Sequence, residues 1–260
     1  MKKYLTTIAC IVFATALSSF TQAKVKATPE GEYYQLNVYH FKTNNQIEIT
    51  ETYLQNSYLP TLHGIGIKNI GVFTSIDNDT AADKKLYVLV PIKGLNQLAD
   101  IPQILTTKND TSSYTSAAYN QPSFERIETI VLKSFELMPR LQTPQLTAAF
   151  QERVYELRSY EAPTPLLYRQ KVKMFNAGGE IALFRRLGFN AVFYAEVLAG
   201  SKMPNLMYMT TFNNRADREA HWKTFSSDTE WKTLSALPEY LHTVSKADIY
   251  FLRPTSYSDY

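Results

Sequence analysis

Three residues at alternate positions, Glu156, Arg158 and Tyr160, are of types that could act together on a ligand. In an extended strand such residues share one face, ~6–7 Å apart in succession. A guanidinium beside a phenol suits an anionic or carbonyl ligand, with Arg158 supplying charge and Tyr160 a hydrogen-bond donor. Tyr208 or Trp222 would be the aromatic neighbour, which gives a ligand-binding set of Glu156, Arg158, Tyr160, Tyr208 and Trp222. A plainer reading stands beside it. A buried carboxylate and guanidinium must be paired, so Glu156 and Arg158 could simply neutralise each other.

Other chemistry is scarce. The four histidines are His40, His63, His221 and His242, and none belongs to an HExxH or a closely spaced carboxylate–histidine pattern, so no metal site is expected. Trp222 and Trp231 read either as a wall of a ligand pocket or as large residues docking a helix, and packing is the preferred reading. Arg185 and Arg186 are adjacent on a helix and diverge. There is no glycine-rich phosphate loop, no GxSxG and no nucleotide fingerprint. No cofactor is expected, and no residue is assigned as catalytic.

The one cysteine, Cys10, lies in an apolar stretch over 5–20 that follows Lys2 and Lys3 and precedes small residues at Thr21 and Ala23. That order is a secretory signal, with cleavage expected after Ala23 and an uncleaved N-terminal anchor as the alternative. The stretch is too short and too interrupted by Thr and Ser for a stable membrane span. A chain starting at Lys24 would have no thiol for a disulfide, a nucleophile or a metal site. The expected location is outside the cytoplasm, in a bacterial periplasm. Removing 1–23 takes away two lysines and no acid, and 25 basic residues then face 24 acidic ones. Near-neutral charge without a basic run argues against nucleic acid or an anionic membrane surface as partner. A chain that is 45% hydrophobic and 20% charged, with 18 Tyr and 14 Phe, can build a large core, which excludes a disordered protein.

The elements that must position these residues come in two copies. YQLNVY (34–39) aligns with YELRSY (155–160) at an offset of 121. IGVF (70–73) aligns with NAVF (190–193), and LYVL (86–89) with LMYM (206–209), both at 120. FELMP (135–139) resembles YFLRP (250–254) at 115. Asn37 stands where the second copy has Arg158, so the first copy lacks that charge.

In the second copy, alternation predicts a strand over 153–161. Thr164 and Pro165 open a helix, which Gly178 and Gly179 break and Gly188 stops. Strands follow at 190–197 and 206–212, then a helix capped by Asn213 or Asn214, then a strand at 247–252. The first copy reads as a strand at 33–41, a helix at 46–62, strands at 69–76 and 86–92, a helical piece at 94–105 and a strand at 129–137, with a polar loop over 108–121. This is βαββαβ twice, an α+β chain of two ferredoxin-like units over 33–139 and 152–257. Each unit leaves one sheet face uncovered, and the two faces can close an eight-stranded barrel within one chain. The apolar sets Tyr34, Leu36, Val38 and Tyr155, Leu157 are expected to face the helices. Glu156, Arg158 and Tyr160 would then face the barrel interior or solvent.

Four segments in order, VYELRSY (154–160), IALFRRLG (181–188), REAHWKTF (218–225) with DTEW (228–231), and FLRPTSY (251–257), are similar to a NIPSNAP domain. The first copy resembles a divergent NIPSNAP domain that lacks the tryptophan motif. The resemblance implies a fold of the dimeric α/β-barrel superfamily. It implies little chemistry, because NIPSNAP domains have no agreed catalytic residues, and eukaryotic members are linked to mitochondria and vesicle traffic rather than to a reaction. Two functions stay open. One is a binding or interaction module of the cell envelope, with a small-molecule or protein partner and room for a homo-oligomer. The other is a cofactor-independent enzyme, monooxygenase-like or isomerase-like, acting on a small aromatic or anionic molecule in the barrel.

Overall fold

The structure is a computed structural model and describes residues 31–107 and 110–260. The expected signal over 1–23, with Cys10, lies outside the described residues. Strands β1 (Tyr33–Phe41), β2 (Gly71–Ser75), β3 (Lys84–Ile92) and β4 (Arg126–Ser134) come from the first half. Strands β5 (Val154–Glu161), β6 (Asn190–Ala199), β7 (Asn205–Phe212) and β8 (Lys246–Pro254) come from the second. All pairings are antiparallel, and the strands close a barrel in the order β1-β3-β2-β8-β5-β7-β6-β4. The first four thus lie 4-1-3-2 and the last four 8-5-7-6, the same order. The registers agree too: Leu36 faces Leu89 and Leu157 faces Met209, positions separated by the offsets 121 and 120.

Helices pack only on the outside. The first half carries α1 (Asn44–Tyr53), a π turn (Leu54–Tyr58), α2 (Leu59–Gly64) and α3 (Gln97–Thr107). The helix expected over 46–62 is therefore one run with a π turn ahead of Pro60, whose missing N–H does not fit a regular helix interior. A Thr43–Gln46 capping box starts it. The second half carries α4 (Pro165–Phe175), α5 (Glu180–Arg186), α6 (Arg215–Ser227) and α7 (Thr229–Ser235). The α4–α5 break falls at the paired glycines: Gly179 has φ +97°, and a Cβ on Gly178 would sit 2.7 Å from the Met174 carbonyl oxygen. The break folds Glu180 back onto Lys171 (2.8 Å), a pair buried between helices. Asn214 caps α6 by accepting from the Asp217 N–H at 2.9 Å, and Asp228 caps α7. Among the described residues no helix is long and apolar enough to cross a membrane.

The two sheet faces are the reverse of what the alternation suggested. Tyr34, Leu36, Val38, Tyr155 and Leu157 point into the barrel, where they pack with Phe73, Leu89, Phe193, Met209 and Leu252 from both halves. The physical reason is closure. A barrel this narrow is filled by side chains and sealed from water, so its inner face must be apolar all round. The outer face meets helices only along part of its area and tolerates polar residues under them. Strand β4 also begins three residues before the predicted start, because Arg126 pairs with His40 across β1. Its polar first turn hid the alternation.

Candidate functional site

The five residues singled out in the sequence do come together, on the outer face beneath α6. The Glu156 carboxylate is fully buried. It pairs with the Arg158 Nε, accepts from the Arg218 Nε at 2.6 Å and from the Trp222 Nε1 at 3.1 Å. The Arg158 guanidinium lies 3.7 Å over the Trp222 ring and donates to the Tyr160 hydroxyl at 2.8 Å. The Tyr160 and Tyr208 hydroxyls are 2.9 Å apart. Burial would pull Arg158 down, but the Tyr208 and Tyr160 oxygens and the Glu156 carboxylate outweigh it and hold the guanidinium firmly charged. Burial pushes the Tyr208 hydroxyl well up.

Glu156 and Arg158 spend their bonds within this cluster, and Arg218 also binds Glu219 at 2.8 Å. Trp222 and Trp231 pack with Phe184, Phe189 and Phe225 and fasten α6 and α7 to the sheet. His221 is held to the Asp217 backbone and side chain. Arg158 faces the helices and not the barrel interior, and no group of the five lines the cavity described next.

That cavity, of about 200 Å³, opens at one end of the barrel. The opposite end is filled by Tyr34, Phe73, Tyr155, Phe193 and Tyr260. Both halves line the open end. Its floor is apolar: Val38, Tyr87, Ile130, Val197, Met207 and Tyr250. Its rim is polar: His40 on β1, Asp83 just before β3 and Lys85 on it, Arg126 and Glu128 on β4, Lys202 before β7, and Asn205 and Ser159, diagonal neighbours on β7 and β5. The rim is an extension of the inner faces. Two residues beyond Val38 the same face of β1 reaches His40; two and four beyond Leu89 on β3 it passes Tyr87 and reaches Lys85.

Most rim charges are paired. Lys202 binds Asp248 and donates to the Tyr250 hydroxyl at 3.1 Å. Burial would lower the Lys202 ammonium, but the Asp248 and Tyr250 oxygens hold it above its ordinary value, and the hydrogen bond from Lys202 chiefly holds Asp248 below its own. Arg126 pairs with Glu128, and Lys85 lies 3.3 Å from Asp83. His40 is 4% exposed, with Nδ1 2.8 and 3.0 Å from the two Asp83 oxygens. Desolvation pushes Asp83 up, but hydrogen bonds from His40 and Lys85 overcome it and keep its carboxyl low. Two buried rim atoms have no protein partner, the His40 Nε2 and the Asn205 Oδ1. The Asn205 Nδ2 is spent on the Ser159 hydroxyl at 2.8 Å. Buried polar atoms without partners are uncommon and mark places where a water or ligand completes the bonding.

Residues 155–259 match the NIPSNAP family. That match lies in the second half of the chain. A NIPSNAP family protein from Agrobacterium tumefaciens covers 41% of this chain and 96% of its own at 19% identity and a TM-score of 0.36. Over most of the chain the likeness is to other proteins. A candidate monooxygenase from Fusobacterium nucleatum covers 87% of this chain and 93% of its own at 10% identity, TM-score 0.58. One from Lactobacillus acidophilus covers 86% and 94% at 10% identity, TM-score 0.53. At that identity the likeness is one of fold. No curated protein sequence gives a significant match. The cavity draws β1, β3 and β4 from outside the NIPSNAP match and β5 to β8 from within it, so the family motifs alone do not outline it.

The sequence reading missed His40, Asp83, Lys202 and Asn205. A signal for part of this was present. On β1, β3, β4 and β8 the inward-facing residues change from apolar to charged or histidine at one end: Val38 to His40, Tyr87 to Lys85, Ile130 to Glu128, Tyr250 to Asp248. Four strands that turn polar at the same end of one face outline a barrel mouth.

Proposed function

We propose that this chain is an exported protein of the NIPSNAP family and that it binds a small molecule in the mouth of the barrel, between its two halves. The carrying observation is the pair of buried, unpartnered polar atoms on residues that line a cavity with an apolar floor. Ligand sites combine those features, an apolar body for affinity and a few placed polar groups for orientation. A cavity of about 200 Å³ is smaller than the ~300 Å³ at which drug-sized sites begin, which points to a compact metabolite. The equal strand orders and registers of the two halves support reading the chain as a duplicated ferredoxin-like unit over 33–139 and 152–257. The duplication supplies one mouth from two unlike rims. Export to the periplasm is read from residues 1–23. The Glu156–Arg158–Trp222 cluster then serves as the anchor of α6 and not as the ligand site.

A second reading, a cofactor-independent enzyme, rests on the His40–Asp83 pair, because an imidazole backed by a carboxylate is the arrangement acid–base catalysis uses. Ser201 lines the cavity and is exposed, so Ser201→Trp should fill the mouth without touching the core. Screening small metabolites by thermal shift should find compounds that raise the melting temperature of the native protein and leave Ser201→Trp unmoved. Hits that stabilise both proteins equally would refute the mouth as the site.

A further inference from the structure

The bonding pattern around the mouth says which chemistry the ligand carries. We propose that the mouth takes a small apolar molecule bearing N–H donors, neutral or singly cationic, and rejects carboxylates, because Asp83 fixes the tautomer of His40. This rests on the mouth being a binding site, as argued above.

An ionised carboxylate only accepts hydrogen bonds. Both Asp83 oxygens lie within 3.0 Å of the His40 Nδ1, nearer than the donor-only Arg126 Nη2 at 3.3 Å, and these shorter contacts place the proton on that nitrogen. In neutral imidazole the other nitrogen is then an acceptor. So the His40 Nε2, buried and without a protein partner, presents a lone pair. The groups facing His40 are Asp83 before β3, Lys85 on β3, and Arg126 and Glu128 on β4. The Glu128 Oε1 stands 3.8 Å from Nε2, too far to bond it, and is a second acceptor beside the first. Across the cavity the Asn205 Oδ1 is a third.

Each cation on the rim already faces a carboxylate. Lys202 is engaged by Asp248 and Tyr250, Lys85 by Asp83, and Arg126 by Glu128. An incoming carboxylate would have to share a cation that already holds a carboxylate, and would meet three acceptors. An amide, aniline or amidine supplies what they lack, and its apolar body covers Met207, Val197 and Ile130. Discrimination of this kind is steep, since a buried acceptor left unpaired loses its hydration with no return.

Asp83 is more than half exposed, so Asp83→Asn should fold. An asparagine amide can donate to Nδ1, which moves the imidazole proton to Nε2 and turns that atom into a donor. Two measurements test the proposal at pH about 8. In the first, ¹⁵N NMR of the full chain should show the His40 Nε2 unprotonated in the native protein and protonated in Asp83→Asn. A proton on Nε2 in the native protein overturns the proposal without any ligand. In the second, ligand-detected NMR titrations use benzamide, benzamidine, aniline and benzoate as probes. The native protein should prefer the donor probes over benzoate at least tenfold, and Asp83→Asn should lose or reverse that preference. His40→Gln, which has both a donor and an acceptor, should flatten it. A native preference for benzoate that Ser201→Trp abolishes overturns the donor assignment and leaves the mouth reading standing. Failure of every probe to bind, or binding that Ser201→Trp does not affect, overturns both.

Discussion

Glu156→Ala should be among the most damaging single substitutions in this protein, and the damage should be to stability. The carboxylate is fully buried and answers two guanidinium groups and an indole N–H. Removing it leaves Arg158, whose side chain is only 11% exposed, with the Tyr160 hydroxyl and the Trp222 face but no counter-charge. Truncating one partner of a buried ion pair typically costs ~3–5 kcal/mol, most of it the uncompensated charge left behind. In a chain of this size each kcal/mol moves the melting temperature by about 2–4 °C. The expected drop is therefore about 6–20 °C, read by calorimetry and by urea unfolding. The double variant Glu156→Ala/Arg158→Met should recover most of it, because the orphaned Arg158 charge is removed and Arg218 keeps Glu219. A loss below ~1 kcal/mol for Glu156→Ala, or no recovery in the double variant, would refute the claim that this cluster is a mutually satisfied anchor. A fall in mouth-ligand affinity at unchanged stability would return the site to the outer face.

Trp222→Ala should also act through stability: its ring packs on Phe184, Phe189 and Phe225 and its N–H holds Glu156, so a loss toward ~3 kcal/mol is expected from thermal unfolding, with mouth binding unchanged once the protein is folded. The Lys202–Asp248 pair fixes the sign of one pH effect: the folded-state carboxyl is held low, so its contribution is fully present above the unfolded value near ~3.9 and is lost as pH falls through the lower folded value. Asp248→Asn should flatten that part of the acid limb of a stability–pH curve. Glu180 has the opposite sign, since burial raises its carboxyl against the opposing pull of Lys171; its cost sets in as pH rises from the ordinary glutamate range through the raised value. Glu180→Gln should reduce the decline over that window, and an unchanged curve would contradict the assignment.

Much of the architecture was legible in the sequence because its signals are local. The YQLNVY and YELRSY repeat placed β1 and β5, and the offsets 121 and 120 match the registers Leu36–Leu89 and Leu157–Met209. Thr164, Gly179, Gly188 and Asn214 marked helix ends through backbone chemistry that neighbours do not change. The faces were not legible. Alternation separates Tyr155 and Leu157 from Glu156 and Arg158 but cannot say which set looks inward, and that is decided by closure of eight strands from both halves. The five-residue cluster was correctly gathered from one strand and two motifs, and its partner Arg218 was not foreseen. The mouth escaped because its residues come from seven strands and adjoining loops, and a single buried histidine acquires meaning only when Asp83, 43 positions away, is set against it.

The central claim, a ligand seated in the barrel mouth, is most directly tested by methyl-selective NMR of the native protein with a fragment library of small aromatic amides and amines. Bound fragments should shift the Met207 methyl together with those of Val38, Ile130 and Val197, all of which line the cavity, and should leave Val172 on α4 and Leu183 on α5, which belong to the core outside the barrel, in place. Shifts confined to Val172 and Leu183, with Met207 unmoved, would contradict the account.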